Sequence, residues 1–300
     1  MDPGSNNIDI VIDTDCAVDD LRAITMLLAL QDVNIKAIIT SDGTLSPQKG
    51  ALKAAALLES MGKTGIPVGA GIKFNQNPPF WREFNSKIFW GEESKIDIST
   101  IQSADMLLHK VFAEAKNEIA LVCLGPLSNI ACCIKQSPEY AQKIRYIIWY
   151  VESVYPQVRG SNYNTDINSA DQLLHSGIRF FCISSLGKPL ISIDEEYIST
   201  ISSINTIYAN AILNSFMSPG MDEKLRTRHL KLWDDLVPLF MVSPHRFKMN
   251  ILTANRNIFY TVDFDILNLK TLIFSILSGS YIYKQELLSE YPQRMINQQK

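Results

Sequence analysis

The sequence predicts a doubly wound α/β fold, a mostly parallel sheet covered by helices on both faces, and three observations point there. Its short β-branched runs are continuously apolar, as strands buried on both faces are. Longer stretches with helical spacing alternate with them, which is what parallel strands need as crossovers. No repeat, low-complexity block or linker divides the chain, so residues 1–300 read as a single domain.

Taken in order, the first strand is IDIVID at residues 8–13, followed by a helix over about 19–31. NIKAIIT at 34–40 is the second strand, a helix covers about 47–61, and IPVGAG at 66–71 is the third strand. After an irregular aromatic segment come a helix over about 103–116, the strand EIALVCLG at 118–125, a helix from Ser128, and the strand IRYIIWYV at 144–151. Beyond about Asn250, NIFYTVDFD reads as an antiparallel strand, followed by an amphipathic helical end; the terminal glutamines and lysine read as frayed.

With 28 Lys and Arg against 31 Asp and Glu, the net charge of −3 provides no field for capturing nucleic acid or an anionic membrane. A small-molecule substrate is the expectation. The five cysteines are odd in number, lack a CxxC spacing and mostly sit in apolar runs, which suits reduced thiols in the cytoplasm. The polar opening MDPGSNN has no secretory pattern, and no apolar run reaches the length of a spanning helix.

The chemistry is concentrated in IVIDTDCAVDDLRAI, where Asp13, Asp15, Asp19 and Asp20 fall within eight residues at the end of a buried strand. Helix capping and the helix dipole account for Asp19 and Asp20. They leave Asp13 and Asp15 unexplained. Converging carboxylates repel and hold protons unless a cation neutralises them. Oxygen ligands without nearby His favour Ca²⁺ or Mg²⁺ over zinc, and the spacing does not match an EF-hand loop.

DTDCAVDDLRAI is similar to the DxDPGxDDAxAI opening of the inosine-uridine-preferring nucleoside hydrolases, with Cys16 and Ala17 in place of Pro-Gly. Three further segments follow in that family's order. LGPLSNIA at 124–131 resembles its TGPLTNLA turn, and GSNYNTDIN at 160–168 resembles its GN…EFN sugar-binding loop, with Asp166 for the glutamate. LWDDLVPLF at 232–240 resembles the late HDPLA segment, with Trp233 for the histidine.

The resemblance implies hydrolysis of the N-glycosidic bond of ribonucleosides, a homo-oligomer (dimer or tetramer), and a Ca²⁺ site formed by Asp15, Asp20, Asp234 and the Leu124 carbonyl. It makes Asp15 the base that activates water, and it places Asp19, Asn162, Asp166 and Asn168 on the ribose hydroxyls. Asp13 would orient its neighbours. Trp233, and Trp90 in IFWGEE, stand where the family has base-side histidines, so stacking on the base would replace protonation. Thr44 falls at the asparagine of the family's GGNVS loop, and Thr44 or Asp42 would assist near the ribose.

Among the histidines, His109 and His175 fall in helical patterns, whereas His229 precedes the WDD segment by four residues and can approach the site. NPPFWREFN at 77–85 reads either as a mobile lid or as a packed surface or subunit contact. Two other functions compete. One is a Mg²⁺-dependent phosphohydrolase of the haloacid dehalogenase type, although its DxDxT opening would need Thr where this chain has Ala17. The other is a non-catalytic member that retains the ribose and calcium site.

Overall fold

The computed structural model describes residues 7–74, 77–155, 158–188, 192–279, 281 and 283. The opening residues 1–6 and the terminal tail lie outside these. The first half contains β1 (Ile8–Thr14), α1 (Val18–Ala29), β2 (Val33–Thr40), α2 (Pro47–Ser60), β3 (Val68–Ala70), α3 (Arg82–Lys87), β4 (Gln102–Ser103), α4 (Ala104–Glu114), β5 (Ile119–Cys123), α5 (Ser128–Gln136) and β6 (Ile144–Tyr150). The second contains α6 (Ser161–Thr165), α7 (Ile167–Leu174), β7 (Phe180–Ile183), α8 (Glu195–Ser202), α9 (Ile207–Phe216), α10 (Met221–Arg226), α11 (Leu236–Val242), β8 (Phe247–Leu252), β9 (Asn255–Phe264) and α12 (Ile266–Leu277).

The nine strands form one sheet in the order β4-β3-β2-β1-β5-β6-β7-β9-β8, parallel except for β8 against β9. NIFYTVDFD was expected to be antiparallel. It lies in β9, which pairs parallel with β7 on one side and antiparallel with β8 on the other. β1 is buried along nearly its whole length because its two sets of side chains enter two cores. Ile8, Ile10 and Ile12 join the layer packed under α1, α2, α9, α11 and α12, while Val11 joins the layer under α4, α5 and α7.

The strand order locates the ligand site. The chain leaves β1 for β2, β3 and β4 on one side, then returns to place β5, β6 and β7 on the other. The connections diverge at the carboxyl ends of β1 and β5, where open α/β sheets bind ligands. Asp13 and Asp15 stand at the end of β1, and Leu124 follows β5, its amide donating to the Asp13 carbonyl at 2.7 Å. No helix among the described residues is long and apolar enough to cross a membrane.

Candidate active site

The turn after β1 has an unusual backbone. Cys16 has φ +59°, a left-handed conformation that costs a non-glycine residue roughly 1–2 kcal/mol. Its amide donates to Thr14 Oγ1 at 3.0 Å and its thiol to the Gly50 carbonyl at 3.4 Å, which hold it there. The chain then enters α1 with Asp19 and Asp20 in the first turn, where the helix dipole favours negative charge. Ala17 supplies no side-chain cap; the Val18 amide instead donates to Asn85 Oδ1 at 2.8 Å.

Asp15, Asp19, Asp20 and Asp234 line one cavity of about 480 Å³. Asp20 Oδ1 accepts from Thr14 Oγ1 at 2.6 Å and from the Asp15 amide at 3.2 Å. Asp15 Oδ2 accepts from the Thr44 amide at 2.8 Å. A side chain at position 43 would collide with that carboxylate, so glycine there lets the loop close over Asp15. One oxygen from each of Asp19, Asp20 and Asp234 lies within 4.8 Å of the others. Asp234 Oδ1 is buried and finds no hydrogen-bond partner among the described residues.

Burial dominates the electrostatics. It pushes Asp15 up to about 6, with the Asp19 charge adding to the effect and the Thr44 amide opposing it. Burial, followed by repulsion from neighbouring aspartates, pushes Asp20 and Asp234 well above the usual carboxylate range. A pKa raised above the unfolded value of 3.8 gives stability that is complete below about pH 4 and is lost as pH rises through the folded value. Metal-free protein is therefore expected to melt at progressively lower temperature as pH rises from 4 through 6, with Asp15 alone contributing on the order of 3 kcal/mol. A divalent cation at pH 7 should reverse the loss. Thermal melts of chelated protein would contradict this if the melting temperature rose steadily over that range.

The same cavity is lined by four aromatic side chains, Phe80, Trp81, Phe84 and Trp233, and by Lys224 and the exposed His229. Leu124 after β5, Tyr150 at the end of β6, Glu152, Ser161 and Asn162 line it as well. Asn162 Nδ2 donates to the carbonyls of Leu124 at 2.9 Å and Tyr150 at 3.1 Å, tying the two strand ends together.

Residues 10–267 match the family described as inosine-uridine preferring nucleoside hydrolase. The chain belongs to that family. A pyrimidine-specific ribonucleoside hydrolase, RihA, from Photobacterium profundum is 27% identical, covering 79% of this chain and 81% of the relative. The fold is that of the solved purine-preferring ribonucleoside hydrolase from Gardnerella vaginalis, with TM-score 0.74 at 18% identity over 90% of this chain and 98% of that one. An inosine-uridine preferring nucleoside hydrolase from Bacillus anthracis superposes with TM-score 0.71 at 15% identity, over 91% and 99%. Membership sets the phosphohydrolase reading aside.

Of the residues that the nucleoside hydrolase motifs single out, the structure gathers Asp15, Asp19, Asp20, Leu124, Asn162, Trp233 and Asp234 around one cavity. Three others lie elsewhere. Trp90 is 3% exposed and packs in the core beneath α2, where its apolar surface is better buried than in a wet cleft. Asp166 caps α7, accepting from the Ser169 amide at 3.1 Å, and also binds the Ser128 hydroxyl at 2.7 Å. Asn168 lies on the exposed face of α7. Asp13 accepts from Asn129 Nδ2 at 3.1 Å, linking β1 to α5. Thr44 lines the cavity, whereas Asp42 is turned to the Phe74 amide and Arg82.

His229 lines the cavity, with Nδ1 2.7 Å from Thr227 Oγ1. His109 in α4 and His175, just past the end of α7, are bound to Gln136 and to the Asp171 carbonyl, and neither lines the cavity. Trp81, Phe80, Phe84, Glu152, Ser161 and Lys224 also line it. The sequence carried one signal for the first three, the Pro- and aromatic-rich segment at 77–85.

Proposed function

We propose that this protein hydrolyses the N-glycosidic bond of ribonucleosides, giving free base and ribose, with Asp15 as the base that activates water and Ca²⁺ as its cation. One observation carries the reading: four buried carboxylates, Asp15, Asp19, Asp20 and Asp234, line the same cavity as four aromatic side chains, Phe80, Trp81, Phe84 and Trp233. This is the charge distribution that a positively charged sugar and an uncharged heterocycle would each select.

The residues fit a hard divalent cation. Three carboxylate oxygens cluster, one buried Asp234 oxygen is unsatisfied, and no histidine or thiol is directed into the cluster; the Cys16 thiol bonds a carbonyl. The clustered oxygens are those of Asp19, Asp20 and Asp234, whereas the family motif assigns the ion to Asp15, Asp20, Asp234 and the Leu124 carbonyl; Asp15 lines the same cavity and would join them. When bound, the ion would neutralise the cluster and lower the pKa of a water molecule.

Asp15 would then take a proton from the attacking water as its oxygen adds to C1′. The bond from C1′ to the base nitrogen breaks, and its electron pair leaves with the base. Positive charge on the sugar is greatest midway, and the aspartates beneath it stabilise that charge. Trp81 and Trp233 would stack on the base, and His229 lines the same cavity, from where a proton could be passed to it. Asp19 and Asn162 would bind ribose hydroxyls. The free cysteines, four of them buried, support a reducing compartment.

Because the hydroxyls would be bound by buried polar groups, 2′-deoxyribonucleosides are expected to be turned over with kcat/KM lower by roughly tenfold or more. The test is ribose release from inosine, adenosine, guanosine, uridine, cytidine and 2′-deoxyinosine, with Ca²⁺ and after chelation. Calcium-dependent release supports the reading. Calcium-dependent ribose binding by calorimetry without turnover would instead make the protein a binding module, and no binding would overturn both.

A further inference from the structure

Arg82 stands at the start of α3, between the aromatic wall and the loop that holds Asp15. Its Nε donates to the Thr44 carbonyl at 2.8 Å, and its Nη2 donates to the Gly43 carbonyl at 2.6 Å and to Asp42 Oδ1 at 3.1 Å. Beside it, Trp81 Nε1 donates to Thr44 Oγ1 at 3.1 Å. Thr44 in turn gives its amide to Asp15. The segment is tied at a second point, because Asn85 accepts from the Val18 amide and donates to the Trp81 carbonyl at 3.0 Å. One short stretch is thus fastened both to the loop over Asp15 and to the helix that begins with Asp19 and Asp20, while Phe80, Trp81 and Phe84 form the wall of the cavity.

The ends of the loop are held at the end of β1, where the Ser41 and Leu45 amides donate to the Thr14 and Asp15 carbonyls at 2.9 and 3.0 Å, and Arg82 holds the residues between. Gly43 has no side chain to pack, and its position against Asp15 leaves no room for one. Hydrogen bonds therefore set where the Thr44 amide sits. A planar guanidinium can reach two carbonyls and a carboxylate at once, which a lysine ammonium cannot do in one geometry.

Resting on the proposed hydrolysis, we infer that Arg82 is a positioning residue: by clamping residues 42–44 it fixes the Thr44 amide on Asp15 and aims that carboxylate. The same clamp couples the aim of Asp15 to the seating of the aromatic wall.

The experiment compares wild type, Arg82→Ala and Arg82→Lys, each loaded with Ca²⁺, in ribose release and in hydrogen exchange at the Thr44 amide. In Arg82→Ala, kcat should fall about a hundredfold, the scale on which a misplaced catalytic group acts. KM should change much less, and added guanidinium at non-denaturing concentration should restore part of kcat. Arg82→Lys should fall between the two and keeps the question answerable if the alanine variant does not fold. Thr44 amide exchange should speed up in both variants. Unchanged exchange overturns the inference whether or not the protein turns over a nucleoside, and an unchanged kcat in an active protein also overturns it. An inactive wild type whose Thr44 exchange responds to Arg82 overturns only the proposed hydrolysis.

Discussion

Replacing Asp15 by asparagine is expected to lower kcat for ribonucleoside hydrolysis by about 10²–10⁴-fold, the range set by losing a positioned general base. Asparagine matches aspartate in size and its amide oxygen can still accept from the Thr44 amide, so the loop over residue 15 keeps its anchor. What disappears is the basic oxygen. The variant should also melt higher than wild type when metal-free, because one of four crowded carboxylates no longer has to be buried with its charge or its proton. Kinetics across a Ca²⁺ titration distinguish the two ways of losing rate. If saturating Ca²⁺ brings kcat to within threefold of wild type, Asp15 serves only as a ligand and another group takes the proton.

The second large effect concerns stability. Arg22 and Asp235 form a bidentate pair, Nε to Oδ1 at 2.9 Å and Nη2 to Oδ2 at 2.8 Å, with side chains 1% and 0% exposed. Arg22 also donates to the Lys231 carbonyl at 2.7 Å. Burial pushes the Asp235 carboxyl up and Arg22 draws it back, while Asp235 holds the guanidinium charged. Asp235→Ala strands that charge in the core and should cost about 3–5 kcal/mol, measured as the shift in urea midpoint at constant slope. Converting both residues to apolar ones, Arg22→Met with Asp235→Leu, should recover most of the loss, since a buried ion pair seldom outperforms well-packed hydrocarbon. A loss under about 1 kcal/mol for Asp235→Ala would mean that water reaches Arg22.

The parts of this architecture that could be read in the sequence are those whose physics is local. β5 is buried along its whole length and appears as an uninterrupted apolar run, while the polar residues of β1, β2 and β6 lie outside their buried apolar stretches 10–12, 37–39 and 146–150. β4 is two residues long and exposed, β7 four residues long and buried, both too short to establish a period, and β8 alternates between buried and exposed only in its first four residues. The same division runs through the site. Asp15, Asp19, Asp20 and Leu124 sit where strands end, and strand ends are marked by composition. Trp81 and Trp90 both lie in the irregular stretch after β3, and nothing local tells which indole faces the cavity; packing against α2 decides it. Asp166 reads as a sugar ligand by motif, but the helix start beside it claims its carboxylate.

Cys16 marks another limit. The family's opening has proline at this position, and proline is locked near φ −65°, so the left-handed turn seen here excludes it.

The Arg22–Asp235 pair spans 213 positions of the chain, and the Val18–Asn85 cap spans 67. Read as a sequence in time, this means a ribosome finishes the first three aspartates of the cluster long before it makes the fourth. Until Asp234 emerges and its neighbour meets Arg22, the early carboxylates can remain in water. Asp15, Asp19 and Asp20 are crowded by their nearness in sequence, whereas the fourth carboxylate joins them only through a slow, non-local closure.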